Sequence, residues 1–240
     1  CLPDAIKRAV GLLAVSEELH AVEVTLGYDE LSAQEVLRQL LPHDIAVPTG
    51  HEQVGHIVHL NLRPEQRPHR FVIGQVLLDK LRPRIRTVVN KADEIRSEFR
   101  TLPLELLAGD DDYAVTVQHG AAKLSFRYDR VYWSSRLQTE HERVARSFAP
   151  DCVVWDLFAG VGPFAVLAAQ RGVRVLANDL NPDSCRALLA NVAANRLRGR
   201  VHVYNLDAAA FARAATESVA ALAQAGGGAT AAADGDGATA

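Results

Sequence analysis

Methionine is absent from this 240-residue sequence, cysteine occurs three times, and aromatic residues make up only 6% of it. Cys1, Cys152 and Cys185 are too few and too scattered for a disulfide framework or a zinc site, so the composition suits a reducing compartment. No run approaches the ~18 consecutive apolar residues of a membrane span. Lys7 and Arg8 precede a short apolar stretch that soon meets Glu17 and Glu18, which is not the layout of a secretory signal. His51, His56 and His59 have no nearby cysteine, so no metal is expected there, and without an apolar span no membrane partner is expected. A chain that starts at Cys1 without any methionine is expected to be a fragment.

What is present reads as a globular protein. Hydrophobic residues make up 48% and charged residues 23%, and the length allows one large domain or two smaller ones. A net charge of −3 argues against a uniformly basic nucleic-acid binder. The average hides a local excess, however. Between Asn61 and Arg100 ten Lys/Arg face five Asp/Glu, and the cluster includes Arg63, Arg67, Arg82, Arg84, Arg86 and Lys91. Such a stripe is either the footprint of a phosphate backbone or a solvated helix face, and charge alone does not choose.

Periodicity and breakers divide the chain. Residues 1–50 form an N-terminal segment with a β-like run at Val22–Leu26 and a helical pattern over Glu30–Leu41, broken by Pro42 and Pro48. Residues 51–133 read as an α+β unit. It has a strand at Gly55–Leu62, a helix carrying Phe71, Val72, Val76 and Leu78, and a hairpin of Tyr113–Val117 with Lys123–Tyr128 across His119-Gly120. Residues 134–150 read as a connecting helix, with Thr139 and Glu142 spaced as a capping box. Over 151–225 the pattern becomes strand–helix–strand–helix–strand, with Pro163 and Pro182 opening helices, Asn181 capping the second and Gly172 closing the first. The glycine- and alanine-rich stretch 226–240 is expected to stay disordered.

The most informative stretch is Val153-Val-Trp-Asp-Leu-Phe-Ala-Gly-Val-Gly-Pro-Phe164. A strand ends in Asp156, turns through Gly160 and Gly162 and restarts as a helix at Pro163, the place where open α/β sheets hold nucleoside-like ligands. Asp179 and Asp207 follow the next two apolar runs, so three strand ends carry carboxylates toward one crevice. A dinucleotide fits this poorly. Pro163 removes an N–H that a pyrophosphate would use, and Asp156 places negative charge beside it. S-adenosylmethionine has no phosphate and carries a positive centre, and Asp179 would accept from its ribose while Asp207 lies near adenine.

Gly55-His-Ile-Val-His-Leu-Asn-Leu-Arg63, Val89-Asn-Lys-Ala-Asp93, Leu107-Ala-Gly-Asp110, Val131-Tyr-Trp-Ser-Ser-Arg-Leu-Gln-Thr-Glu-His141, the glycine turn and Asn178-Asp-Leu-Asn-Pro182 together resemble the eukaryotic/archaeal tRNA (guanine-N1)-methyltransferase family. Its members methylate the guanine immediately 3′ of the anticodon. The resemblance spans about Val54 to Phe211. It implies an α/β fold: a class I methyltransferase Rossmann-like parallel sheet, truncated here, preceded by a smaller α+β RNA-binding domain. It implies Glu140 as general base and Arg100 as catalytic arginine. Cofactor contacts fall on His141, Asp156, Gly160, Gly162, Asp179, Leu180, Asp207 and Ala208, and Tyr132 and Arg136 are assigned to the substrate. The family's Asn-(Leu/Pro)-Pro motif does not follow Asp207. S-adenosyl-L-methionine and tRNA are the implied cofactor and partner, a monomer the implied state, and cytoplasm, mitochondrial matrix or nucleus the implied compartment. The nearest rival activity is the sibling aminocarboxypropyl transferase of wybutosine synthesis; a tRNA-binding fragment without turnover is the rival from another class.

Overall fold

The computed structural model describes residues 23–91, 98–101, 103–149 and 152–226, the last nine by their main chain only. Within 23–32 the expected strand does not form. Val24 and Leu26 are 70% and 58% exposed with no strand among the described residues to complete a ladder, and Val22 lies outside the described residues. The expected helix does form, as α1 (Ala33–Leu40), started by a capping box: Glu35 N–H donates to Ser32 Oγ, and Ser32 N–H donates to Glu35 Oε2.

The single strand expected over 55–62 is two, β1 (Glu52–Val54) and β2 (Ile57–Leu60), paired antiparallel around a tight turn at Gly55-His56. A 3₁₀ turn (Pro64–His69) and α2 (Arg70–Leu81) cross over to β3 (Thr87–Lys91), which lies parallel to β2, and β4 (Leu104–Gly109) closes a sheet of order β1-β2-β3-β4. Strand alternation gives this sheet two buried faces. Val58, Leu60 and Val88 join α1 and α2 residues such as Leu37 and Ile73 in one core. Ile57 and Val89 join a second core with Leu124, Tyr128, Val166 and Leu188. Of the apolar residues on α2, Phe71 and Val72 are 51% and 44% exposed, because Ile73, Val76, Leu77 and Leu78 take the inward positions.

β5 (Ala114–His119) and β6 (Ala122–Arg127) form the expected hairpin. Then come α3 (Gln138–Ser147), β7 (Val153–Asp156), α4 (Pro163–Gln170), β8 (Arg174–Asn178), α5 (Pro182–Ala194), β9 (Val201–Tyr204) and α6 (Ala208–Gly226). The last three strands make a parallel sheet of order β7-β8-β9. A division at residue 133 does not follow the packing. The hairpin backbone is held by α5, through Ser125 N–H to Asn191 Oδ1 and Lys123 N–H to Asn195 Oδ1, so it sits with the second unit. The tail from 227 lies outside the described residues.

Candidate functional site

The ends of β7 and β8 are tied together by Asn178, a buried residue that the sequence showed only as the first of the Asn178-Asp-Leu-Asn-Pro182 motif. Its Nδ2 donates to the carbonyls of Leu157 and Leu206, its Oδ1 accepts from Leu206 N–H, and its own carbonyl accepts from Ala159 N–H. One amide thus fixes three strand-end loops. Asp179 fixes the glycine turn: Gly160 N–H donates to Oδ2 at 2.7 Å and Asn181 N–H to Oδ1 at 2.9 Å. Asn181 caps α5 as expected, accepting from Asp183 N–H, and also donates to the Arg130 carbonyl.

The two glycines have different jobs. Gly160 has φ 55°, and no atom lies within 4 Å of where its Cβ would be, so its open side faces free space. Gly162, at φ 97°, would place a Cβ 2.3 Å from Leu188 Cδ1, so it serves the packing of α4 on α5. Asp156 Oδ2 is buried with no partner among the described residues. Burial is the main reason its pKa rises to about 6; a hydrogen bond from Phe158 N–H opposes the shift and the Asp179 charge adds to it.

Over this turn opens a cavity of about 560 Å³. Its wall brings together Arg100, Tyr132, Gly160, Asp179 and Leu180 of the expected site, and adds Phe99, Phe158, Asn181 and Ser184. Phe158, in the strand-end loop before Gly160, is 77% exposed and lines the cavity; its exposure is visible only in the structure. Arg100 arrives from the first unit with φ 54°, a left-handed backbone that costs a non-glycine residue about 1–3 kcal/mol and that clusters at functional sites.

Other expected residues are not on that wall. Glu140 is exposed on the first turn of α3, both carboxylate oxygens accepting from Arg143 at 2.7 Å. That bond, chiefly, holds its pKa below the usual carboxylate value. Arg136 is also exposed, in the short turn before α3. The His141 ring is buried, with Nδ1 2.8 Å from His119 Nε2 and a T-shaped contact to Phe164. Asp207 caps α6, accepting from Ala209 and Ala210 N–H, and Ala208 is the first residue of that helix. The expected Thr139–Glu142 capping box is absent. The helix starts at Gln138, which puts Thr139 inside the first turn, and Glu142 accepts from Gln138 and Arg146 instead. Among the described residues, no group of three or more His, Cys, Asp or Glu is disposed to hold a metal, and no helix is long and apolar enough to cross a membrane.

Residues 115–222 match the profile of the TRM5/TYW2 methyltransferase domain, and residues 33–112 that of the TYW2 N-terminal domain. The chain belongs to the TRM5/TYW2 family. A tRNA (guanine(37)-N(1))-methyltransferase of Phytophthora infestans is 50% identical over 192 residues, which are 80% of this chain and 46% of that protein. The Schizosaccharomyces pombe enzyme of the same name is 44% identical over 204 residues, 84% of this chain and 46% of that protein. This TRM5/TYW2 chain therefore spans less than half the length of these relatives. The solved complex of aTrm5 and tRNALeu superposes with a TM-score of 0.69 at 25% identity, covering 86% of this chain and 62% of that one. Pyrococcus horikoshii TYW2 in complex with MeSAdo superposes at 0.60 with 27% identity, covering 73% and 62%. The fold is a methyltransferase Rossmann-like domain that follows an N-terminal α+β unit.

Proposed function

We propose that this chain is the tRNA-facing and cofactor-binding part of a tRNA (guanine-N1)-methyltransferase that uses S-adenosylmethionine. One observation carries the reading: a single cavity joins Arg100 of the first unit to the glycine turn and Asp179 of the second. The donor set suits this cofactor. Gly160 leaves open room beside the turn, Asp156 offers a buried oxygen without a partner to a cationic group, and Asp179 keeps lone pairs for ribose hydroxyls. Phe158 and Leu180 supply exposed apolar surface for a purine. When bound, the cofactor supplies an electrophilic methyl group.

The protein's own residues prepare the acceptor. Guanine N1 is protonated at neutral pH and a poor nucleophile, so a carboxylate must take that proton, the role assigned to Glu140. Negative charge then grows on O6, where the Arg100 guanidinium donates hydrogen bonds. In the structure Glu140 is held by Arg143, so the reading requires substrate to replace that partner. The tRNA substrate is supported by the names of the similar enzymes and by the tRNALeu complex.

The match of residues 33–112 to the TYW2 N-terminal domain favours one second reading, aminocarboxypropyl transfer from the same cofactor. Cofactor labelled separately in the methyl and aminocarboxypropyl carbons, incubated with tRNA and the protein that carries this chain, distinguishes the two. Methyl label on guanine is expected; label from the other carbons would overturn the reading. Within the same protein, Glu140→Gln should slow single-turnover transfer by about 10²–10⁴-fold with cofactor affinity retained. The loss should be largest at low pH, because raising pH ionises guanine itself.

A further inference from the structure

Helix α3 carries Glu140 and packs on α4, and the turn before it is tied to β1 by Ser135 N–H and Oγ donating to Glu52 Oε1. Of its ten residues only His141 and Ala145 are buried, and no side chain caps its N-terminus. Apolar packing is non-directional, so those two residues do not by themselves fix the rotation of the helix about its axis. Within the helix itself the buried directional constraint is the 2.8 Å contact between His141 Nδ1 and His119 Nε2, in the core between α3 and the end of β5. Each ring is itself held. His119 meets Trp133 edge-on at 5.1 Å, and His141 meets Phe164 edge-on at 4.4 Å. Phe164 directly follows Pro163 in the first turn of α4, immediately after the glycine turn. The pair therefore links the hairpin, the base-bearing helix and the cofactor turn in one line of contacts.

We propose that His119 is a positioning residue: through His141 it sets the rotation of α3 and so the place of Glu140 relative to the glycine turn. This rests on the reading of Glu140 as the base. Burial keeps both imidazoles neutral, so one proton lies between the two nitrogens and the bond is intact at neutral pH. The charged neighbours are Glu142, facing His119, and Glu140, one residue before His141. Neither shares the bond.

The test uses the protein that carries this chain, with His119→Phe, which keeps a ring against Trp133 but loses the nitrogen, and His119→Gln, whose amide nitrogen falls near the Nε2 position. His119→Phe should lower the single-turnover rate by roughly 10–100-fold while tRNA and cofactor affinities stay within about twofold, and His119→Gln should recover most of the rate. Nitrogen-15 signals of the His141 ring should report one fixed tautomer in the wild type and mixed tautomers in His119→Phe. A normal rate in His119→Phe beside a slow Glu140→Gln would overturn this proposal alone. A normal rate in Glu140→Gln would overturn the base reading and this proposal with it. Should His119→Phe fail to fold, tautomer exchange at His141 in the wild type would be enough to reject the bond.

Discussion

Asp156 is the residue at which burial and ligand chemistry meet most directly. Its carboxyl ionises in the unfolded chain near the ordinary value of 3.8 but in the folded protein only at about 6. The folded state thus binds the extra proton between those values, and ionisation weighs against the fold as pH rises through that window. A cationic ligand group beside the unpartnered oxygen reverses the preference and releases the proton. S-adenosylmethionine affinity should therefore strengthen as pH rises through about 6, and Asp156→Asn should flatten that dependence; calorimetry across this range measures both, and a flat wild-type profile would remove Asp156 from the site. Gly162 makes a purely steric prediction. Gly162→Ala drives a Cβ into Leu188 at a left-handed backbone position, so it should cost about 1–3 kcal/mol, seen as a lower melting temperature.

At the scale of elements, the structure sorts the basic stripe. Arg86 is paired with Asp112, and Arg70 with Glu105 while lying over the Phe71 ring. Arg63, Arg67, Arg82 and Arg84 are exposed and meet no carboxylate among the described residues. Arg67 before α2 and Arg82 and Arg84 after it are therefore the charges left free for a phosphate backbone, if tRNA binds on this face. Neutralising Arg67, Arg82 and Arg84 should reduce the slope of log affinity for tRNA against log salt by about one per lost contact. Arg86→Gln should change it less, because its charge is already compensated. Filter binding over a salt series decides it, and an unmoved slope in the triple variant would make the stripe a solvated face.

For the whole molecule, the two units share a core across the β1–β4 sheet, and that core contains histidines. His59, His119 and His141 are all held below the ordinary imidazole value, mainly by burial, and His141 falls to about 4. An unfolded chain protonates these rings near 6.5 while the folded one resists, so their contribution is complete above 6.5 and is lost as pH falls toward 4. Asp156 acts in the opposite direction over part of that range, but it is one group against three. The urea midpoint should therefore fall on acidification below about pH 6.5, and His119→Phe should show a shallower fall than the wild type. An equal acid response in that variant would mean that His119 is not the buried neutral group described.

The sequence by itself determined the local pieces. The glycine turn, Pro163 and Pro182 at helix starts, the Asn181 cap and the β5–β6 hairpin were legible because each depends on residues a few positions apart. It also determined the family, through short motifs read in order. Tertiary structure decided what each piece faces. No local pattern shows that Asn178 ties three loops, that Gly162 serves Leu188 while Gly160 serves the cavity, or that Glu23–Leu26 finds no strand to pair with among the described residues. Nor does one show that His141 turns inward to His119 or that Thr139 lies inside a helical turn. Arg100 and Gly160 share a cavity across 60 residues of sequence, and only the packing of the hairpin and the first sheet on the Rossmann-like unit brings them there. Side-chain partners distant in sequence are set by burial and by hydrogen-bond satisfaction of the assembled fold, which no window of neighbouring residues contains.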